Sequence, residues 1–539
     1  MAESTGDRPA GRGFERHALT VTVLTAASRF GGLAREACFS RIVGLTDVAS
    51  AFWFAFMVPN LFRRLFGEGA LTAALIPEQA RLEKRHPDVA RRMSTVMLLG
   101  LGLILSGVVV VGEICLWMFG PEGSVGWRLM AIMLPYMPLV CITAIAGAVL
   151  QVRGRFTPSA AAPILLNLTL VSALLIAWSL GEGPLGEDRI GIVAWAVVLA
   201  GVLQASWAIF ELRRTAPPST PGIDRGLTGI RVRASVRRVF HQSVPMIIGL
   251  GVLQFNTFLD GLIASWPLLV GPTILGHPYP LDDTAMANLG YAHRLYEFPL
   301  GVFGIAIATA IFPQLSREVG TPTAFAATVR RGLRLTMFIG IPASIGVILV
   351  RRPFAQVVLY GGAFDAEDVR KVAYVLLGYA TAIWSYSATH LLVRAFYARR
   401  EPMTAVRIAV PMVGLNVVLN ITLVFGTDLG VAGLAWSTAI CAVIQTGVLL
   451  LCLQRRTGRL LDGDVGRSVA ETMTSSVVML LVVMGVLALL TPLLPEDHWW
   501  SALVELMCAA FAGAAVHLGL ARWRGRPELG WALGRSGGS

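Results

Sequence analysis

The sequence predicts an all-α polytopic membrane protein of fourteen transmembrane helices, arranged as two six-helix lobes in parallel repeat plus two extra C-terminal helices. Three observations predict it. Apolar runs of about 20 residues, the length that crosses a ~30 Å hydrocarbon core, recur from end to end of the 539 residues. The loops between them alternate between rich and poor in Lys and Arg. Short motifs of the first half return in the same order in the second.

Composition excludes the main alternatives. The chain is 55% hydrophobic and 14% charged, with mean hydropathy +0.66, where a soluble domain carries about 25% charge. Alternating ten-residue strands of a β-barrel are absent from the sequence. The net charge of +12 sits mainly in loops, without the aromatic-laced basic patch of a nucleic-acid binder. Cys38, Cys115, Cys141, Cys441, Cys452 and Cys508 form no CxxC pair, which argues against a metal or redox site. No GxxxxGK[ST] phosphate loop and no catalytic Ser/His/Asp constellation is present, so the sequence reads as a transporter rather than an enzyme.

The spans are expected at 18–43, 48–82, 93–119, 128–151, 158–181, 189–212, 238–265, 284–316, 331–350, 371–397, 403–425, 429–454, 468–493 and 499–521. Basic loops include Arg81 to Arg92, Arg153 and Arg155, Arg213 to Arg238, Arg330 and Arg331, and Arg455 to Arg467. The positive-inside rule makes that side cytoplasmic and places both termini there. The segment 351–371 conflicts, since it mixes Arg351, Arg352, Asp365 and Glu367 with aromatics, and reads as a short interfacial helix. The expected organisation is a cytoplasmic N-terminal tail 1–17, an N-lobe 18–228, a C-lobe 229–456, helices thirteen and fourteen in 457–521, and a cytoplasmic C-terminal tail 522–539.

The repeat rests on Asn167-Leu-Thr-Leu-Val171 against Asn420-Ile-Thr-Leu-Val424, and on Trp195 with Gln204 against Trp436 with Gln445. Pro59 and Pro77 of span two likewise match Pro299 and Pro313 of span eight. Parallel repeats with substrate between them are a transporter architecture.

Charges inside spans each cost at least about 2.5–3.5 kcal/mol unless paired or hydrated. They gather in spans one, two and eight as Arg29, Arg35, Arg63, Arg64 and Arg294 against Glu36, Glu68 and Glu297. At 100° per residue, Glu36 lies about 20° from Arg29 and Arg35 about 120° from it, so Glu36 is expected to share a face with Arg29. Arg64 and Glu68 are four apart and suited to pair, leaving Arg63 for a substrate, unless the arginine pair is an interfacial topology anchor. Arg294 and Glu297 share a face. The cations outnumber the acids, and arginine's planar fork suits diphosphate oxygens. In span seven Asp260 joins Asn416 and Asn420 of span eleven as candidate ligands for a hard cation such as sodium, as a proton relay, or as an interhelical hydrogen-bond cluster.

Ser28-Arg-Phe-Gly-Gly-Leu-Ala-Arg-Glu36, the string from Val58-Pro-Asn-Leu-Phe-Arg-Arg to Leu71, and Tyr291-Ala-His-Arg-Leu-Tyr-Glu-Phe-Pro-Leu-Gly-Val302 resemble the MurJ/MviN lipid II flippases of the MOP exporter superfamily. The resemblance runs over essentially the whole chain. It implies export of a peptidoglycan precursor, undecaprenyl-diphosphate disaccharide-pentapeptide, across the bacterial inner membrane by alternating access through a basic central cavity. It implies substrate arginines at Arg29, Arg35, Arg63 and Arg294, with Glu68 in the motif, and a groove for the polyprenyl tail on spans thirteen and fourteen. It further implies a sodium site in some members at Asp260, Asn416 and Asn420, and coupling to sodium, protons or membrane potential rather than a cofactor. The partners implied are the lipid substrate, membrane lipids and the cell-wall synthesis machinery, with no nucleic acid. Another polyprenyl-diphosphate glycan, or a drug cation handled by a sister exporter, is the alternative cargo. Family members often carry an acid nine residues before the span-two proline, where this chain has Ser50, and Glu505 is an unusual residue for a lipid groove.

Overall fold

A computed structural model describes residues 11–67, 70–120, 123–216 and 225–533. Among the described residues the helices from Gly11–Val43 to Trp499–Trp523 follow the order of the expected spans, and a short helix Pro527–Ala532 comes after them. Among the described residues nine helices are long and apolar enough to cross a membrane. Of the other expected spans, the second, eighth and tenth are broken within the span, and the first carries Arg29, Arg35 and Glu36.

Those breaks have local causes. Span two runs as Asp47–Phe62, a π-helical turn Arg63–Gly67, and Ala70–Arg85. Span eight repeats the design as Ala285–Pro299, a π turn Leu300–Gly304, and Ile305–Glu318. Pro59 and Pro299 each lack the N–H that an α-helix needs, and the backbone widens beyond them. Span four divides at Leu134-Pro135 and span ten at Thr381-Ala382, neither of which the sequence reading foresaw.

The segment 351–371 is not a separate interfacial helix. Span nine continues unbroken through it as Pro322–Leu359. The chain then turns at Gly361 and Gly362, both at positive φ (123° and 59°). Asp365 caps the next helix, Ala366–Ala380, in a capping box with Asp368, which satisfies the orphan N–H groups of its first turn.

Two compact units emerge, Met1–Ile42 with Ala55–Leu250, and Val43–Phe54 with Gly251–Ser539. In the first, spans four and six pack tightly because Gly201 has no side chain: a Cβ there would meet the Tyr136 ring at 2.7 Å. In the second, Leu315, Phe325, Val329, Leu391, Phe396, Leu449 and Leu453 form a buried core. Spans thirteen and fourteen rest on span nine, where Met479, Val483 and Ala509 meet Ile345, Leu349 and Val350.

The C-terminal tail docks rather than trailing away. Arg526 is buried, donating to Thr472 Oγ1 at 2.9 Å and to the Ser468 carbonyl at 2.9 Å. Glu528, also buried, accepts from Arg334 Nε at 2.8 Å and Ser468 Oγ at 2.7 Å. Burial pushes the Glu528 carboxyl up, but hydrogen bonds from Ser468 and Arg334 and the Arg526 charge hold it below the usual carboxylate range. Trp531 adds a ring beneath Arg331 and Arg334. The tail thereby ties span thirteen to span nine.

Candidate functional site

In the first unit, Arg35 and Glu36 are buried and paired, Nη2 to Oε1 at 2.5 Å. Arg35 Nη1 also donates to Asn167 Oδ1 at 3.1 Å, and Asn167 Nδ2 donates to the Ser28 carbonyl at 3.1 Å. Arg29, on the helix face expected to carry Glu36, is exposed. Helical periodicity fixes where Cβ points, and the long arginine side chain swings its guanidinium across that 100° to its neighbour. Arg63 grips Asn60 Oδ1 through Nε and Nη2 at 3.0 and 2.8 Å. It is therefore held on its own helix by a neutral amide. Arg63 and Arg64 both lie in the π turn, half-buried. Glu68, the expected partner of Arg64, lies outside the described residues.

In the second unit, Arg294 lies 5.0 Å above the Trp53 ring, a cation–π contact worth about 0.5–2 kcal/mol. Glu297 Oε1 meets His293 Nε2 at 3.1 Å. Beside them Tyr296 stacks on Tyr379 at 4.6 Å, with Tyr386 5.4 Å away. Trp53, His293, Tyr379 and Tyr386 were not picked out as site residues from the sequence, because aromatics in apolar runs carry no charge signature; Tyr296 was legible beside Arg294 and Glu297.

Ser50 keeps a role without the acid. Its Oγ accepts the Ala287 N–H at 3.0 Å in the first turn of Ala285–Pro299. Nearby, Tyr291 Oη donates to the Gly44 carbonyl at 3.1 Å. Gly44 stands at φ 81°, where a Cβ would meet the Ala363 carbonyl oxygen at 2.6 Å. A hydroxyl supplies the acceptor that this helix N-terminus requires.

The same unit brings Asp260, Asn416 and Asn420 together, all buried. Asn420 Nδ2 donates to Asp260 Oδ1 at 2.6 Å and to Asn416 Oδ1 at 2.9 Å. Two residues missed from sequence complete the group. Thr438 Oγ1 donates to Asp260 Oδ2 at 3.2 Å, and Ser437 Oγ donates to Asn420 Oδ1. One carboxylate, two amide oxygens and two hydroxyls form a hard-donor set that fits a sodium ion. The repeat shows in these contacts, since Asn167 and Asn420 hold the same motif position and each engages a charged residue of its unit, Arg35 or Asp260.

On the outermost spans, Glu505 accepts from Thr491 Oγ1 at 2.9 Å, which places its carboxylate against the end of span thirteen.

A family model described as "Lipid II flippase MurJ" matches residues 39–507. A Vibrio cholerae protein named "Probable lipid II flippase MurJ" is 30% identical over 455 residues, covering 80% of this chain and 81% of its own length. A "Lipid II flippase MurJ" of Burkholderia cenocepacia is 29% identical, covering 82% and 84%. Among solved structures, "Lipid II flippase MurJ, inward closed conformation" superposes with TM-score 0.74 at 20% identity, covering 94% of this chain and 99% of that one. An inward-facing multidrug resistance MATE transporter of the MOP superfamily gives 0.60 at 13% identity, covering 80% and 95%. At such identities the two structural matches establish the fold alone.

Proposed function

Because the chain belongs to the lipid II flippase MurJ family, we propose that it moves lipid II across the bacterial inner membrane, from the cytoplasmic to the periplasmic leaflet, by alternating access. Both termini then lie in the cytoplasm, as the basic loops demand. One observation carries the chemical reading: the two spans broken by a π turn both bear arginines at the break. Arg63 and Arg64 open the first π turn, and Arg294 sits less than two turns before the second. Breaks at membrane depth persist where protein or a wet cavity satisfies the backbone, and a wet path suits a charged headgroup.

Arg35, Arg63, Arg64 and Arg294, with exposed Arg29, are the proposed diphosphate ligands. In the empty protein Glu36, Asn60, Asn167 and Trp53 hold three of these guanidiniums. An incoming diphosphate competes for them, and that exchange biases the equilibrium between the two access states. Spans thirteen and fourteen supply the surface for the polyprenyl tail. Reconstituted protein should move a headgroup-labelled lipid II into a leaflet accessible to a membrane-impermeant reagent. Faster movement of a non-peptidoglycan polyprenyl-diphosphate glycan would reassign the cargo.

Asp260, Asn416, Asn420, Ser437 and Thr438 would hold a coupling sodium ion, which supplies a compensating charge for the carboxylate. Asp260→Asn keeps the shape and removes that charge. Its flipping rate in proteoliposomes is expected to lose all response to a sodium gradient. A sodium response equal to wild type would reduce the cluster to an interhelical hydrogen-bond network.

A further inference from the structure

The helix Arg225–Leu269 carries a surface that the transport reading does not use. Its early part is anchored to span two, where Arg238 Nη1 reaches Glu78 Oε1 at 3.2 Å and Glu78 also pairs with Arg81 at 2.7 Å. Val232, Ser235, Val239 and Ser243 are buried. With Ile230 as origin and about 100° per residue, these four fall between about 140° and 220°. Arg233, Arg237, Phe240 and Val244 fall within about 80° of Ile230, with Ala234 and His241 between them and Arg238 on the flank, all three also exposed. All five residues of that second stripe are exposed, Ile230 at 68%, Val244 at 48% and Phe240 at 40%.

Along this one face the chemistry changes in order. Val244 and Phe240 lie at the start of the apolar span, Arg237 and Arg233 follow within about 6 Å of helix axis, and Ile230 bounds them on the outer side. Burial of Val232, Ser235, Val239 and Ser243 on the opposite side turns the stripe outward, so it does not serve the protein's own core. A soluble partner does not fit a surface that begins in the hydrocarbon. A molecule with apolar chains and an anionic head matches the sequence of contacts: acyl carbons against Val244 and Phe240, a phosphate between two guanidiniums.

We infer that this stripe is a binding site for an anionic phospholipid, such as phosphatidylglycerol, at the basic-loop end of the helix. The site is separate from the proposed diphosphate ligands, and its test needs no transport.

Purified full-length protein in neutral detergent is mixed with phosphatidylglycerol or phosphatidylcholine, and retained lipid is counted by native mass spectrometry. Wild type should retain phosphatidylglycerol preferentially. R233Q/R237Q should weaken that retention roughly tenfold or more, with unchanged elution on size exclusion. The control R91Q/R92Q, two exposed arginines of another loop, removes the same charge and should leave retention intact. Equal loss in both pairs would mean diffuse attraction, and undiminished retention in R233Q/R237Q would mean no site; either overturns the inference. If R233Q/R237Q instead loses undecaprenyl diphosphate while phosphatidylglycerol is retained as in wild type, the stripe belongs to the substrate and the inference fails.

Discussion

Arg35→Leu should destabilise the first unit strongly, lowering the unfolding free energy by about 3–5 kcal/mol, because it removes one partner of a buried ion pair. The two side chains are 9% and 5% exposed, so water cannot take the place of the guanidinium. Asn167 loses its Arg35 contact as well, and with it one of the links between spans one and five. The double variant Arg35→Leu/Glu36→Leu should recover most of the loss, since replacing both ions removes the desolvation cost along with the attraction. Chemical denaturation in detergent reads both. A double variant as unstable as the single one would show that Arg35 acts by packing and not by charge.

Arg294→Ala should act on transport and leave the fold largely intact. Its contact with Trp53 is a cation–π interaction at 5.0 Å, and loss of that contact costs about 0.5–2 kcal/mol of stability. A lost charge-assisted bond to a phosphate is worth about 1.5–3 kcal/mol, which corresponds to roughly a ten- to hundredfold fall in lipid II flipping. Arg294→Lys keeps the charge but not the planar fork, so its rate should fall between those of wild type and Arg294→Ala. Trp53→Leu should reduce flipping less than Arg294→Ala, because the guanidinium survives. Wild-type flipping by a stably folded Arg294→Ala protein would remove Arg294 from the substrate path.

Much of this was legible in the sequence, and the reasons differ by element. Spans three, five, six, nine and eleven to fourteen are long apolar helices whose existence hydropathy alone fixes. The breaks at Leu134-Pro135 and Thr381-Ala382 escaped because an apolar average runs straight across them. Pro59 and Pro299 were legible as matching positions of spans two and eight, though not as the places where both widen into π turns. Asp260, Asn416 and Asn420 were conspicuous as polar groups in apolar runs. Ser437 and Thr438 were silent, since a hydroxyl in a helix commonly bonds its own backbone, as Ser437 also does to Leu434. The pairing of Arg35 with Glu36 was not legible from helical angle, because side-chain reach decides between sequence neighbours.

The most direct measurement of the central claim is rescue of a bacterium depleted of its own lipid II flippase, with periplasmic lipid II assayed chemically. Wild-type protein should restore growth and periplasmic lipid II, whereas Arg→Ala changes at Arg29, Arg63 and Arg294 together should abolish both at matched expression. Failure of a well-expressed, correctly inserted wild-type chain would contradict lipid II as the cargo. Full rescue by the triple variant would contradict arginine recognition of the diphosphate.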